Sequence, residues 1–363
     1  MNCKIAIFDL KGALAPEDQP LMLEPVLFCP VLTWMAQELM CCGVQRYFIV
    51  CRENWREEVR EALQGFDADF FDDVPAALSA AEEDVMVVPG PVVPVYGPED
   101  RNVYAADAAV LRSRLREGTS LTDCPAEAVG VRALWQPREQ PPAFRAFSSA
   151  AELNAAMPAA RELLMRRMAS NGVTVVDPVN TYVDPRCSVA PGVTLLPGTI
   201  LRGHTAIAAG CEIGPNSMVR DCIVGKDTTI NAYVRPNCRI GDHCRVGDFV
   251  EVKNSVIGDG TKISHLTYVG DSDVGRRVNF GCGTVTTNYD GHKKFRCTIG
   301  DDAFLGCNTN LIAPVTVGDR AYTAAGSTVT DNVPDGALAI ARARQTNKEG
   351  WADRLRALWK KNQ

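Results

Sequence analysis

Residues 183–219 read VDPRCS VAPGVT LLPGTI LRGHTA IAAGCE IGPNSM V, with an aliphatic side chain opening each group of six. The members are Val183, Val189, Leu195, Leu201, Ile207, Ile213 and Val219. After short resets the beat resumes at Val224 and Ile230, at Ile240, Val246 and Val252, and at Ile257, Ile263 and Val269. It returns at Leu311, Val317, Thr323 and Val329. This period suits neither an α-helix nor an ordinary strand. It is the mark of a solenoid in which each unit makes one flat side of a triangular coil, the aliphatic side chain pointing inward. Small or turn-tolerant residues, as in Ile213-Gly214-Pro215-Asn216, fit the corners. Three units close a coil, and stacked coils pair their strands about 4.8 Å apart. The solenoid is expected from Val173 to about Ile340, in roughly nine coils.

The first half has a different texture. Ile5 to Phe8, Tyr47 to Val50 and Asp84 to Val88 read as buried strands, and Pro30 to Met40 and Trp55 to Leu63 as helices. Such alternation predicts a small α/β domain with a mainly parallel sheet. Pro125 to Ser149 reads as a linker, and Ala150 to Ser170 as a helix in two parts, the second starting at Pro158. The expected units are therefore 1–124, a linker and connecting helix at 125–172, the solenoid at 173–341, and a tail at 342–363 with a short amphipathic helix.

The chain has 363 residues, enough for two domains. Its net charge of −6 gives no general attraction to nucleic acid, so none is expected as a partner. No signal peptide and no apolar run of membrane-spanning length are read in it. A cytoplasmic protein without membrane insertion is the expectation. The 14 cysteines lack metal-ligand spacing, and in this setting they read as reduced packing thiols. One stretch fits no hexad: Thr286 to Arg296 is polar, aromatic and basic, as a functional loop extruded at a corner would be.

Longer words stand on this repeat in order: Phe249 to Asn254, His265 to Asp271, Val278 to Thr284, Asn288 to Gly291, Ile312 to Gly318 and Gln345 to Trp351. Together they resemble the acetyltransferase half of the bifunctional N-acetylglucosamine-1-phosphate uridyltransferase / glucosamine-1-phosphate acetyltransferase (GlmU) family, over about Ala150 to Trp351. The resemblance implies a left-handed parallel β-helix, an exception to the right-handed crossover rule. It also implies a homotrimer with sites between neighbouring helices. The implied reaction moves acetyl from acetyl-CoA to the amine of glucosamine-1-phosphate, toward UDP-N-acetylglucosamine and the cell wall.

An amine attacking a thioester sheds a proton, and a histidine titrates in the range to accept it. Among His204, His243, His265 and His292, the resemblance singles out His265 as the base; His204 and His243 read as solvent-facing corner residues. Arg235 and Lys253 match the phosphate-binding pair, supplying a planar fork and a compact charge. Tyr268, Asn279, Asn288 and Lys294 match sugar-pocket residues. Cys282, Tyr289, Cys307, Ala325 and Arg342 match acetyl-CoA contacts. Cys282 and Cys307 depart from the usual Ala and Ser, and the lost Ser hydroxyl would weaken binding by about 1 kcal/mol.

The first half matches the family's nucleotidyltransferase poorly. The glycine-rich phosphate loop is reduced to Asp9-Leu10-Lys11-Gly12-Ala13-Leu14, without its Arg. Pro20 is followed by Leu21 rather than Lys, and Gly90-Pro91 stands where a Gly-Asp would hold Mg²⁺. A degenerate Rossmann-like remnant with no surviving Mg²⁺ site and no uridyl transfer is expected. Two other readings compete with the leading one: acyl transfer to another amino sugar, and a non-catalytic trimeric scaffold or sensor.

Overall fold

The computed structural model describes residues 3–12, 14–15, 18–136 and 141–361. Ala13 of the expected loop remnant and residues 137–140 of the expected linker lie outside the described residues.

The apolar run Ile5–Asp9 is the third strand of a six-stranded sheet. In spatial order the strands are Asp67–Phe71, Arg46–Val50, Ile5–Asp9, Asp84–Val88, Tyr104–Asp107 and Val129–Gly130. The first four are parallel, and Tyr104–Asp107 runs antiparallel to both of its neighbours, Asp84–Val88 and Val129–Gly130. The helix expected from Pro30 runs Val31–Met40 and buries Val31, Met35 and Leu39 together with Leu32 and Trp34. The second expected helix is Arg56–Ala62. The stretch 125–149 does not run free. Val129–Gly130 extends the sheet, and Ala143–Ala146 pairs antiparallel with Val92–Val95.

The connecting helix corrects one expectation. Ala150–Ser170 is a single helix with Pro158 inside it, not two parts. Proline forfeits one backbone hydrogen bond. Here the buried Leu153, Ala156, Ala160, Leu163 and Leu164 hold both sides of it in place. Ser149 caps the start by accepting from the Glu152 N–H, while the Glu152 carboxylate reaches back to the Ser148 N–H at 2.7 Å. Gly172 stops the helix at φ +79°, and the Val173 N–H closes on the Met168 carbonyl at 3.0 Å.

The repeat then winds into a left-handed parallel β-helix. Its three faces carry ten, nine and eight strands, and each strand pairs in parallel with the third one after it, except that Tyr322–Thr323 pairs with the second, Leu338–Ala339. The first face runs from Thr174–Val175 to Leu338–Ala339, the second from Tyr182–Val183 to Thr328–Val329, the third from Ser188–Val189 to Val315–Val317. The hexad aliphatics point inward. Val183, Leu195, Ile213, Val246, Ile263 and Leu311 are wholly buried, and only Val189, near the first coil, is half-buried.

The cysteines have a place in this stack. Cys211, Cys222, Cys238, Cys244 and Cys297 each stand two residues before an inward aliphatic and are buried. Other coils put Thr199, Thr205, Thr228, Ser255 or Thr261 at that step. The step wants a small side chain whose polar end reaches a nearby carbonyl. Thr199 donates to the Leu196 carbonyl at 2.7 Å, and the Cys211 thiol points to the Gly225 carbonyl at 2.9 Å. Burial pushes the Cys297 thiol up to about 11, so it stays a packing group.

One apolar core joins the two halves. It runs from Phe8, Leu32 and Trp34 through Leu153, Ala160 and Leu163 into Val173, Val193 and Leu195. Polar contacts reinforce the joint. Arg167 meets Glu38 at 2.6 Å, and Arg186 donates to the Phe28 carbonyl at 2.9 Å.

Candidate active site

His265 ends the strand Lys262–His265 on the first face, at the corner where the chain turns onto the second. It stands two residues beyond the inward Ile263. Ile263 is in register with Phe280, Phe280 with Leu305, and Leu305 with Thr323. The residues two beyond each are Cys282, Cys307 and Ala325, so these stack above His265 along one corner. Backbone bonds tie the column: Gly283 N–H to Leu266 O at 3.0 Å, Asn308 N–H to Cys282 O and Gly326 N–H to Cys307 O, both at 2.8 Å. At about 4.8 Å per coil the column spans roughly 14 Å. His265, Cys282, Cys307 and Ala325 are all exposed. Arg342 closes the far end, its Cδ 3.6 Å from where a Cβ on Gly326 would lie. Asp248 pairs in register beneath His265.

The corner carries unusual backbone. Phe249 and Leu266 adopt φ of +57° and +46° and leave their side chains exposed. A non-glycine residue in that region costs roughly 1–2 kcal/mol. The same backbone recurs along the stack, as at Asn216, His243, Arg277 and Arg320, so it belongs to the coil and not to this corner alone.

A second cluster occupies the adjoining face and its far corner. Glu251, Tyr268 and Val285 lie in register on the second face. Arg235 meets Glu251 at 2.6 Å, and the Arg235 N–H donates to the Val252 carbonyl at 2.8 Å, one coil from Lys253. The Asn288 amide reaches the Tyr268 hydroxyl at 3.5 Å and donates to Asp271. Asn254 donates to the other oxygen of that carboxylate. Burial pushes the Tyr268 phenol above its ordinary range, against the Asn288 hydrogen bond, which lowers it. Asn279 lies on the first face, in register between Lys262 and Phe304.

The remaining expected residues stand apart. Residues 288–296 leave the corner between the second and third faces, opposite the His265 column. Tyr289 and Lys294 form a single antiparallel bridge in this loop, and the Tyr289 hydroxyl donates to the Gly291 carbonyl at 2.7 Å. Asp290 tightens the turn by accepting from the His292 and Lys293 N–H groups. Arg296 fixes the return strand with a pair of bonds to Asp273. The single chain therefore brings His265, Cys282, Cys307 and Ala325 into one line, and Arg235, Lys253, Tyr268 and Asn288 into one cluster. It does not bring Tyr289 or Lys294 to the His265 corner. A cleft of about 880 Å³ lies elsewhere, between the two halves, where Arg186 and His204 face Glu58 and Glu61.

Sequence reading gave no role to Asp248, Glu251, Asn254 or Asp271. Asp271 is the most consequential, since it is buried and holds both Asn254 and Asn288. Its signal was present in the word His265 to Asp271, but only the fold shows that the two asparagines converge on it.

Residues 296–331 match the bacterial transferase hexapeptide (six repeats) family. The chain is 49% identical over 213 residues to the bifunctional protein GlmU of Geobacillus sp. (strain WCH70), covering 54% of this chain and 46% of that one. It is 46% identical over 224 residues to the same-named protein of Caldanaerobacter subterraneus subsp. tengcongensis, covering 57% and 49%. The chain thus spans about half the length of the curated relatives it matches. Among solved structures it is similar to LpxA from Acinetobacter baumannii, at 16% identity and a TM-score of 0.30, covering 52% of this chain and 79% of that one. Through its C-terminal half, the chain is similar to the GlmU proteins, and that half is a β-helix of hexapeptide repeats.

Proposed function

We propose that the repeat half transfers acetyl from acetyl-CoA to the amine of glucosamine-1-phosphate, giving N-acetylglucosamine-1-phosphate. The observation that carries this reading is the column from His265 through Cys282, Cys307 and Ala325 to Arg342, beside the face bearing Tyr268. A long, thin thioester donor fits a straight corner with small residues above a single imidazole. The amine lone pair attacks the thioester carbonyl, His265 takes the proton shed by nitrogen, and the CoA thiolate leaves and is protonated. Backbone N–H groups near Cys282 stabilise the oxyanion. Arg342 pairs with the phosphate end of CoA.

The acceptor lies across the second face. Arg235 and Lys253 neutralise its phosphate, Tyr268 adds a hydroxyl, and Asn279 and Asn288 hold the sugar. Tyr289 and Lys294 sit on the opposite edge from His265, and this supports a homotrimer in which one protomer's loop completes the corner of the next. The N-terminal half performs no uridyl transfer in this reading, and the protein works in the cytoplasm.

A thiol-release assay with acetyl-CoA and glucosamine-1-phosphate tests the proposal. Turnover is expected, and His265→Ala is expected to lower kcat by about 10²–10⁴. Full activity in that variant refutes the base assignment. With UTP, Mg²⁺ and N-acetylglucosamine-1-phosphate, no pyrophosphate should appear, and steady release refutes the loss of uridyl transfer.

A further inference from the structure

Of the fourteen cysteines, Cys282 and Cys307 are the exposed ones. They occupy the same step of neighbouring coils. Phe280 and Leu305, each two residues earlier, are in register, and the Gly281 N–H donates to the Leu305 carbonyl at 2.7 Å. The Asn308 N–H donates back to the Cys282 carbonyl at 2.8 Å. The approach is so close that a Cβ on Gly281 would come within 2.5 Å of the Cys307 nitrogen. Neighbouring coils sit about 4.8 Å apart, inside the Cα separation of about 4.4–6.8 Å that a disulfide spans. Both side chains leave the same corner toward solvent, directly above His265.

We infer that Cys282 and Cys307 form a dithiol site for exchange with low-molecular-weight disulfides, and that oxidation of the pair closes the acyl-donor groove. The first thiolate attacks a disulfide RSSR, forming a mixed disulfide and releasing RSH. The second thiolate attacks the cysteine sulfur of that bond and displaces the second RSH. The two thiols lose two protons and two electrons, and RSSR becomes two RSH. The cross-link draws both sulfurs together along the line where the thioester arm would lie, so the bridge takes the place of that arm. This effect on turnover rests on the acetyl-transfer reading above; formation of the cross-link does not.

Cys222 and Cys238 provide the internal comparison. They too are in register on neighbouring coils, but they are buried, so an aqueous disulfide does not reach them in the folded protein.

The test treats the full chain with glutathione disulfide, blocks remaining thiols with iodoacetamide, and maps peptides by mass spectrometry without reduction. The expected product joins the Cys282 and Cys307 peptides, lacks two hydrogens and leaves Cys222 and Cys238 alkylated after unfolding. Acetyl transfer should fall at least tenfold on oxidation and return with dithiothreitol. In Cys307→Ser the ratio of reduced to oxidised rates should move toward one, each form compared with itself. Glutathione held on one thiol without the cross-link, or no reaction at either thiol, overturns the inference. A complete cross-link with undiminished turnover overturns closure of the groove. If the reduced protein never transfers acetyl while the cross-link forms, the proposed function fails and the dithiol site stands.

Discussion

Asp271 offers the sharpest test of how the site is held. Its carboxylate is buried and accepts from the amides of Asn254 and Asn288. Removing it in Asp271→Ala strands both donors. Asn254 is half-buried and regains water, so its loss is small. Asn288 is 8% exposed and does not. A buried donor left without an acceptor costs about 1–3 kcal/mol. Asp271 also adopts φ +47°, where alanine pays roughly 1 kcal/mol more. The expected destabilisation is about 2–4 kcal/mol. Asp271→Gly removes the backbone part and should recover roughly 1 kcal/mol of it. Chemical denaturation followed by circular dichroism, at fixed protein concentration, measures both. Asn288 freed from its tether should also raise KM for the sugar phosphate about tenfold, with KM for acetyl-CoA much less affected; tenfold is about 1.4 kcal/mol. An Asp271→Ala protein with unchanged denaturation midpoint and unchanged sugar KM would refute the reasoning.

Three further outcomes follow from the same geometry. Gly281→Ala drives a Cβ into the backbone of the next coil, at 2.5 Å from Cys307 N and 2.7 Å from Leu305 O, and should destabilise by about 1–3 kcal/mol or more. Gly291→Ala, where no atom lies within 4 Å, carries only the strain of its φ of +98°; a thermal melt that ranks Gly291→Ala as the worse of the two contradicts the stack. Arg235→Lys should raise KM for the sugar phosphate several-fold while leaving KM for acetyl-CoA unchanged, because the lysine loses the planar fork but not the charge; an equal rise in both would place Arg235 elsewhere. Backbone N–H groups of Lys293 and His292 hold the Asp290 carboxyl below its ordinary range. Its contribution to loop order is therefore full above the ordinary carboxylate pKa and lost as pH falls through the lowered one. Hydrogen exchange of the His292 and Lys293 amides should quicken below that pH, and rates that ignore it would show that the turn does not depend on the carboxylate.

The repeat half was legible because a hexad leaves little freedom: once Ile263 points inward, the corner step of His265 follows, whereas Phe280, 17 residues on, falls one short of three hexads and its column with Cys282 shows only in the fold. The strands of the first half were also legible, since Ile5–Asp9 and Asp84–Val88 are short apolar runs buried on both faces. What failed was local. Pro158 signals a break to any reader of sequence, yet tertiary packing of Leu153 and Leu163 outweighs one missing hydrogen bond. Ala143–Ala146 is too short and too plain to announce itself, and becomes a strand only because Val92–Val95 offers a partner. Convergence of Asn254 and Asn288 on Asp271 joins residues 17 apart on neighbouring coils, and no local pattern marks it.

The shared core between the halves carries a consequence for the stack itself. A solenoid has two open ends, and each raw end is a layer of aliphatic side chains and unpaired strand edge. Here Leu163 and Leu164 of the long helix and the α/β layer behind it lie in the same core as Val173 and Val193 of the opening coil. The N-terminal half works as a lid on the first rung, whatever ligand it does or does not bind. Trimming it away would unseal the column and invite end-to-end sticking. That mechanical duty alone is reason for a chain to keep the domain, whatever chemistry it carries.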